Sequence, residues 1–563
     1  MMKWWGWGAP DKAYSLERKP QFWPFLEARL GPAVGEPAPV VALEAIALPP
    51  SRLSVEHRKA LAAIVGADAV TTDHAERVRH SYGKSYRDLV RIRRGEVLRA
   101  PDAIVYPGSH EEVQAVLDCA REAGWRVIPF GGGTSVVGGV EVPPEHAGEV
   151  FVTLDLARMD RVLSVDAVSG TARIQAGVFG PALEEQLGRE GHTLGHFPQS
   201  FEFSTLGGWI ATRSAGQQST RYGKIEEMVV GLRMATPRGT FEVKPMPAQA
   251  AGPSLKELVV GSEGLLGVIT EATVKIHRLP PVRDYRGYLV PSFEAGMQAI
   301  RALMRQDLRP ATVRLSDRQE TELLFRLREA TTSPVEDLIQ RAGKYFLTRG
   351  GTVEFEGRCM LLVGFEGEAS HVVAQWEVAR PLLKHFDALS LGASVGRSWF
   401  KSRFDLPYLR DTLLDRGVMV DTLETATEWA NLPALYQAVD RALREAIAGS
   451  GVAPFVMCHV SHAYHDGASL YFTFAGRQLP GRELEQWADA KRVATDCLVR
   501  NGGALSHHHA IGLDHAPWMR EYVGSIGIDA LAALKDAFDP TGYMNPGKLF
   551  GDRAADSSTP KGA

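Results

Sequence analysis

Three adjacent histidines, His507, His508 and His509, follow Ser506 near the C-terminal end of the chain. Imidazole titrates near neutrality, so such a run can move protons or ligate a metal. It can equally be a solvated or core-packed cluster. On an extended segment successive residues point to opposite faces, so at most two of the three are expected to share one. Upstream, Cys458-His459-Val460-Ser461-His462-Ala463-Tyr464-His465 adds three histidines three apart. No Asp or Glu pairing fixes their geometry for an ion, and no metal is assigned. Tyr471, in the strand-like ASLYFTF, reads by default as a core tyrosine with a satisfied hydroxyl. Arg410 (in PYLRD) and Arg314 (in TVRLSD) read by default as surface or interface arginines.

A second chemistry is carried by glycine. Gly131, Gly132 and Gly133, then Thr134 and Ser135, follow VIPF, with Gly138 and Gly139 beyond. Consecutive glycines let backbone amides approach and point at an anion, and two hydroxyls add donors. The loop is not a dinucleotide fingerprint, because Val136 holds the sixth position, and it is not a P-loop, because no GK[ST] follows. Gly83-Lys84-Ser85 lacks the upstream glycine of that motif, since Val78 stands there. Three further Gly/Ser/Thr loops share this half of the chain: Ser204–Gly208, Ala211–Gly216 and Gly261–Ile269. Together they suggest a backbone-lined cradle for a long phosphate-bearing cofactor. No G-x-S-x-G elbow supports a serine hydrolase.

The elements that must position these residues are readable in outline. AIVYP reads as a strand. Ser109 and Glu112 read as a capping box opening a helix, with Val113, Val116, Leu117 and Ala120 on one face. WRVIPF is a second strand, which makes a β-α-β unit ending in the glycine loop. Short strands follow over 150–176, then a helix in PALEEQLGREG, a strand-turn-strand in LRMATPRGTFEV and a strand in GVITEATVKIHRLPP. A boundary is placed near Pro280–Asp284. Beyond it FEAGMQAIRALMRQ, CMLLVGFEG and ASLYFTF alternate helix and strand, and DPTGYMNPGKLFG is turn-rich.

Composition narrows the class. The 563 residues are 45% hydrophobic and 23% charged, which is globular and excludes disorder, collagen and coiled coil. With 63 basic against 67 acidic residues the net charge is −4, so no nucleic-acid partner is expected. Four separated cysteines suit reduced thiols. The opening MMKWWGWGAPDK has no apolar stretch of a secretory leader, and the closing SSTPKGA has no lipidation motif. A cytoplasmic protein is expected. Trp4, Trp5 and Trp7 could touch a membrane surface or pack as an arm on the body; packing is preferred.

Taken in order, WWGWG, VIPFGGGTSV, FEFSTLGGWIATRSAG, GSEGLLGVITEATVKI, LSHHHAIG and DPTGYMNPGKLF closely resemble the alkyldihydroxyacetonephosphate synthases, within the vanillyl-alcohol-oxidase (PCMH) type of FAD proteins. The resemblance runs from Met2 to Phe550. It implies an α+β fold: a helical arm over 1–100, a two-subdomain FAD-binding domain over 101–282, a cap over 283–480 and a helical C-terminal segment over 481–563. It implies FAD held by Pro129, Phe130, Gly131, Gly132, Gly133, Thr134, Ser135 and Val136. Further cofactor contacts are implied for Gln199, Ser200, Ser204, Thr205, Thr212, Arg213, Ser214, Ala215, Glu263, Gly264, Leu266, Gly267, Val268, Ile269 and Arg314. Covalent members of the superfamily often use a histidine in the glycine loop. Gly133, Thr134 and Ser135 offer none, so the FAD is expected to be non-covalent.

The resemblance further implies an exchange without net redox. The acyl chain of acyl-dihydroxyacetone phosphate leaves and a long-chain fatty alcohol adds, through an adduct at flavin N5, giving an ether-lipid precursor. Arg410 matches the family's substrate-phosphate arginine, Tyr471 its proton-moving tyrosine, and His508, flanked by His507 and His509, its acid/base. His459 stands where the synthases carry arginine. A peripheral membrane contact and a homodimer are also expected. The alternative is an FAD-dependent 2-hydroxyacid dehydrogenase of the D-lactate or glycolate kind. Those enzymes show GDGN-L-H and SGEHGIG where this chain has HDGASLY and SHHHAIG.

Overall fold

The computed structural model describes residues 2–31, 39–146, 148–327 and 357–551, so the closing SSTPKGA lies outside the described residues. The fold is α+β and separates into two units. The first comprises Met1–Pro10, Pro39–Leu279 and Leu505–Ala563; the second comprises Asp11–Ala38 and Pro280–Ala504. Among the described residues no helix is long and apolar enough to cross a membrane.

The first unit holds a small mixed sheet of β1 (Val70–Thr71), β2 (Ala103–Val105), β3 (Arg126–Phe130) and β4 (Phe151–Asp155), in the order β1-β2-β4-β3. The helix His110–Ala123 joins β2 to β3, and Val113, Val116, Leu117 and Ala120 are all fully buried on its inner face. Its start differs from a full capping box. Ser109 Oγ accepts the Glu112 N–H at 3.1 Å, but the Glu112 carboxylate reaches the N–H of Gly108 instead (2.7 Å). The crossover passes over one place, because β4 lies between β2 and β3 and is parallel to both. β3 is therefore the edge strand, which suits Pro129 and its missing N–H. Ahead of Pro129 the tail extends that edge: Val127 N–H donates to Tyr543 O and Asn545 N–H to Val127 O.

A second, antiparallel sheet contains β5 (Val162–Asp166), β6 (Thr171–Gln175), β8 (Val229–Thr236), β9 (Gly239–Val243) and β10 (Val268–Lys275), ordered β5-β6-β10-β8-β9. A short pair is formed by β7 (His192–Thr193) and β11 (His277–Arg278).

The second unit is one antiparallel sheet of β12 (Val282–Val290), β13 (Thr312–Ser316), β14 (Cys359–Gly367), β15 (Leu389–Gly392), β16 (Val418–Glu428), β17 (Phe455–Val460) and β18 (Gly467–Arg477). Its order is β15-β12-β14-β13-β17-β18-β16. Phe472 and Phe474 of β18 are fully buried, while Tyr471 and Thr473 on its other face are only partly so. Alternation thus places Tyr471 on the face opposite Phe472 and Phe474.

The first hundred residues, expected as one arm, are shared out between the units. Phe22, Phe25, Leu26 and Leu30 of the helix Phe22–Leu30 pack with Leu323, Leu409, Leu413, Val418 and Phe455 of the second unit. Trp4 instead packs on Ile46, Val78, Tyr82 and Ile92 of the first. The helix Glu483–Arg500, expected in the C-terminal segment, belongs with the second unit. Its Trp487 indole donates to Asp421 (2.7 Å) and its Lys491 ammonium to Thr422 O (2.7 Å).

Candidate functional site

In the first unit the glycine loop leaves β3 and meets residues 203–205. A Cβ on Gly131 would fall on Thr205 Oγ1, and one on Gly132 would fall on the Phe203 carbonyl oxygen. Gly133 has φ +63°, the left-handed region that glycine enters without strain. The resulting strap has a chemical consequence. The N–H groups of Gly131, Gly132, Gly133 and Thr134 donate to no group among the described residues, and neither does the Thr134 hydroxyl. A run of partly buried N–H donors with no protein acceptor suits an anion nest. It fits the pyrophosphate of FAD through backbone atoms rather than cationic side chains. Two buried polar atoms, Ser262 Oγ and His196 Nδ1, are also without a partner among the described residues.

Most side chains expected on the cofactor also have partners within the protein. Ser204 Oγ accepts from Ser200 Oγ and from the Trp209 indole (2.7 Å), and it donates to Ser200 O. Thr205 caps the helix Leu206–Thr212, and Thr212 Oγ1 donates to Gly208 O (2.8 Å). Gln199 accepts from Gln217 (2.9 Å). Arg213, in the left-handed region at φ +53°, closes that helix and turns to Glu226 and Glu257. Ser214 Oγ lies 3.2 Å from His196 Nε2, and Ala215 is buried. Gly264, at φ +78°, packs on the Pro129 ring, and Gly267 lies where a Cβ would strike Ala235 O. Leu266, Val268 and Ile269 are buried core residues. Gly/Ser/Thr loops have the same composition whether backbone or side chain faces a ligand, so sequence could not separate the two uses.

Glu263 is the clearest case. Its buried carboxylate accepts the N–H groups of Ile511 (2.8 Å) and Gly512 (2.7 Å), just past the histidine run. Its own carbonyl accepts from Asn545 (2.6 Å). Val137 O accepts from Leu513 and Asp514, so the glycine loop and the segment after the histidines are fastened to each other. Burial drives the Glu263 carboxyl up to about 7, against the pull of the two amides and Lys548. Glu263→Gln offers only one acceptor atom to two donors and should cost about 1–3 kcal/mol. Because the folded carboxyl titrates at about 7, above an unfolded glutamate at 4.5, the contribution of Glu263 to stability falls as pH rises from about 4.5 to 7. That part of the slope should vanish in Glu263→Gln. Urea unfolding midpoints across this range check it, and an unchanged slope contradicts it.

The histidine run is not extended. The Ser506 hydroxyl accepts the His509 N–H (3.2 Å) and bends it. His507 Nδ1 and His508 Nδ1 therefore come within 2.9 Å, although adjacent residues were expected to face apart. A hydrogen bond between two imidazole nitrogens needs one protonated and one bare, so the pair holds a movable proton. The Lys224 ammonium donates to His507 O (3.0 Å), and His508 and His509 rings meet at 4.6 Å. His196 was not singled out from sequence. It is fully buried, tilted against Trp209 at 4.8 Å, and driven down to about 3 by burial and then by His508 and Lys224. It is a neutral imidazole. Its only signal in sequence was its place three residues before Gln199.

In the second unit Tyr471 stands on β18 between β17 and β16. His459 stacks on it at 4.7 Å and 15°. Burial raises the phenol to about 12, while a hydrogen bond with Thr422 and the charge of Arg410 pull the other way. At neutral pH Tyr471 is therefore a protonated donor with a guanidinium nearby. Arg410 projects from the helix Leu406–Asp415. Arg314 donates to Glu320 (2.8 Å), whose carboxylate also lies 2.9 Å from His459 Nδ1. Glu320 is buried, which alone would raise its pKa, yet His459 and Arg314 hold it well below the usual carboxylate range. Arg314 thus supports the ring stacked on Tyr471, a role its sequence neighbours did not disclose.

The glycine loop suits the pyrophosphate of FAD, and two family matches place the chain among the FAD-linked oxidases. Residues 101–243 match the family described as "FAD binding domain", and residues 279–549 match "FAD linked oxidases, C-terminal domain". The alkyldihydroxyacetonephosphate synthase of Dictyostelium discoideum is 38% identical over 92% of this chain and 84% of its own. That of Trypanosoma brucei brucei is 37% identical over 91% and 84%. A solved alkyldihydroxyacetonephosphate synthase superposes with a TM-score of 0.85 at 35% identity, covering 97% of this chain and 99% of that one. The chain belongs to the alkyldihydroxyacetonephosphate synthase family.

Proposed function

We propose that this enzyme exchanges the acyl chain of acyl-dihydroxyacetone phosphate for a long-chain fatty alcohol, making an ether-lipid precursor without net redox. The observation that carries the reading is the protonated Tyr471 with Arg410 nearby and His459 stacked on its ring. Arg410 holds the substrate phosphate by charge-assisted hydrogen bonds. Tyr471 exchanges a proton with C1 of the substrate. The His507–His508 pair protonates the departing carboxylate and takes the proton of the incoming alcohol. Amides of Gly131–Thr134 hold the pyrophosphate of a dissociable FAD, and bound FAD supplies the covalent chemistry of its flavin ring.

Arg410→Met should raise KM for the phosphate-bearing substrate about a hundredfold, the loss of one or two charge-assisted bonds. The activity itself is tested by stoichiometry. Purified, FAD-loaded enzyme releases one fatty acid for each alcohol consumed, and D-lactate and glycolate leave its anaerobic flavin spectrum unchanged. Bleaching by a 2-hydroxyacid with no fatty acid release would move the enzyme to the dehydrogenases. Peripheral attachment to a membrane, where both long chains reside, and a homodimer complete the proposal. Liposome co-sedimentation and analytical ultracentrifugation test them.

A further inference from the structure

Two sequence features unused so far meet in the first unit: the tryptophan-rich start and the Gly83-Lys84-Ser85 triplet. The Lys3 N–H donates to Gly8 O at 2.7 Å and closes a tight loop, with Gly8 at φ +85°. Lys84 is buried. Its ammonium donates to Lys3 O at 2.8 Å and lies 3.4 Å from Trp4 O. Its backbone N–H donates to Ser135 O of the glycine loop at 2.6 Å. Gly83 permits this approach, since a Cβ there would fall on the same Ser135 oxygen. On the other side Trp7, also buried, meets Phe203 edge to face at 5.8 Å and 82°. The Phe203 carbonyl is the atom against which Gly132 lies. Arg93 donates to Trp5 O at 3.2 Å.

The loop therefore touches the strap that shapes the anion nest from two directions, through Lys84 at Ser135 and through Trp7 at Phe203. Burying an ammonium is costly unless it is well hydrogen-bonded, and an apolar side chain of similar length would fill the space at less expense. A lysine whose two ends serve the N-terminal loop and the glycine loop answers to coupling better than to packing. We infer that the Lys3–Gly8 loop is a clasp on the FAD cradle and that Lys84 is the positioning residue joining the two. The inference rests on the assignment of FAD to the glycine loop.

The test measures FAD dissociation by the recovery of flavin fluorescence on dilution, beside the melting temperature of the apoprotein. Lys84→Met and Trp7→Leu should each weaken FAD binding about tenfold or more, as expected for coupled sites. Ile174→Val, a core truncation in β6, should lower the melting temperature without changing the FAD Kd. Wild-type Kd in both clasp variants, whatever their melting temperature, would overturn the inference. If the variants do not fold, hydrogen exchange on the wild-type protein decides. Coupling is reciprocal, so saturating FAD should slow amide exchange in residues 3–8 about tenfold; unchanged exchange there overturns the clasp. Failure of the wild-type protein to bind FAD would instead reject the underlying assignment.

Discussion

Tyr471→Phe should lower the rate of acyl-for-alkyl exchange about a hundred- to ten-thousand-fold, the range for removing a general acid/base. FAD content should be unchanged. The substitution removes one oxygen from a partly buried ring and keeps the stacking on His459 at 4.7 Å, so fold and ring position survive while the transferable proton is lost. The phenol is held up at about 12, so it is protonated throughout the neutral range. The pH–rate profile should therefore carry no limb from Tyr471 below about pH 10. Steady-state rates on the two proteins, each with its flavin content measured, check both statements. Equal rates would remove Tyr471 from the chemistry.

Gly132→Ala should have the other large effect. The added methyl would land on the Phe203 carbonyl oxygen, with Ser204 Cα 3.1 Å away, so one strand of the strap must move. Overpacking of this kind costs about 1–3 kcal/mol. The larger loss is at the nest, where displacing two charge-assisted N–H donors should weaken FAD binding at least ~100-fold. The protein should purify folded but colourless. Gly188→Ala, in the helix Gly180–Arg189 where a Cβ meets nothing within 4 Å, is the control. It should keep its flavin and gain about 0.5–1 kcal/mol from the better helix former. Absorbance of the purified variants and their thermal melts read the contrast.

The parts of this molecule legible from sequence were those written in local pattern. The helix His110–Ala123 and its apolar face, the strand Arg126–Phe130 and the glycine turn after it follow from periodicity, Ser109 and the run of glycines. The bonds that Ser204, Thr205, Arg213 and Glu263 make inside the protein were not legible, because a hydroxyl that caps a helix and one that meets a phosphate look alike in sequence. Glu320 with His459, 139 residues apart, and Lys84 with Lys3 are joined only by tertiary contact. The histidine run departs from alternation for a smaller reason. An alternation argument assumes an extended chain, and the Ser506 hydroxyl bends it.

The central claim is that this chain builds an ether while passing no electrons to an acceptor. FAD-loaded enzyme should be given acyl-dihydroxyacetone phosphate and labelled hexadecanol under anaerobic conditions with no electron acceptor. Label is expected in an ether-linked, phosphate-bearing product over many turnovers, and should be lost in Tyr471→Phe. No incorporation by fully flavinated enzyme, or incorporation that stops after a single turnover until an acceptor is added, would contradict it.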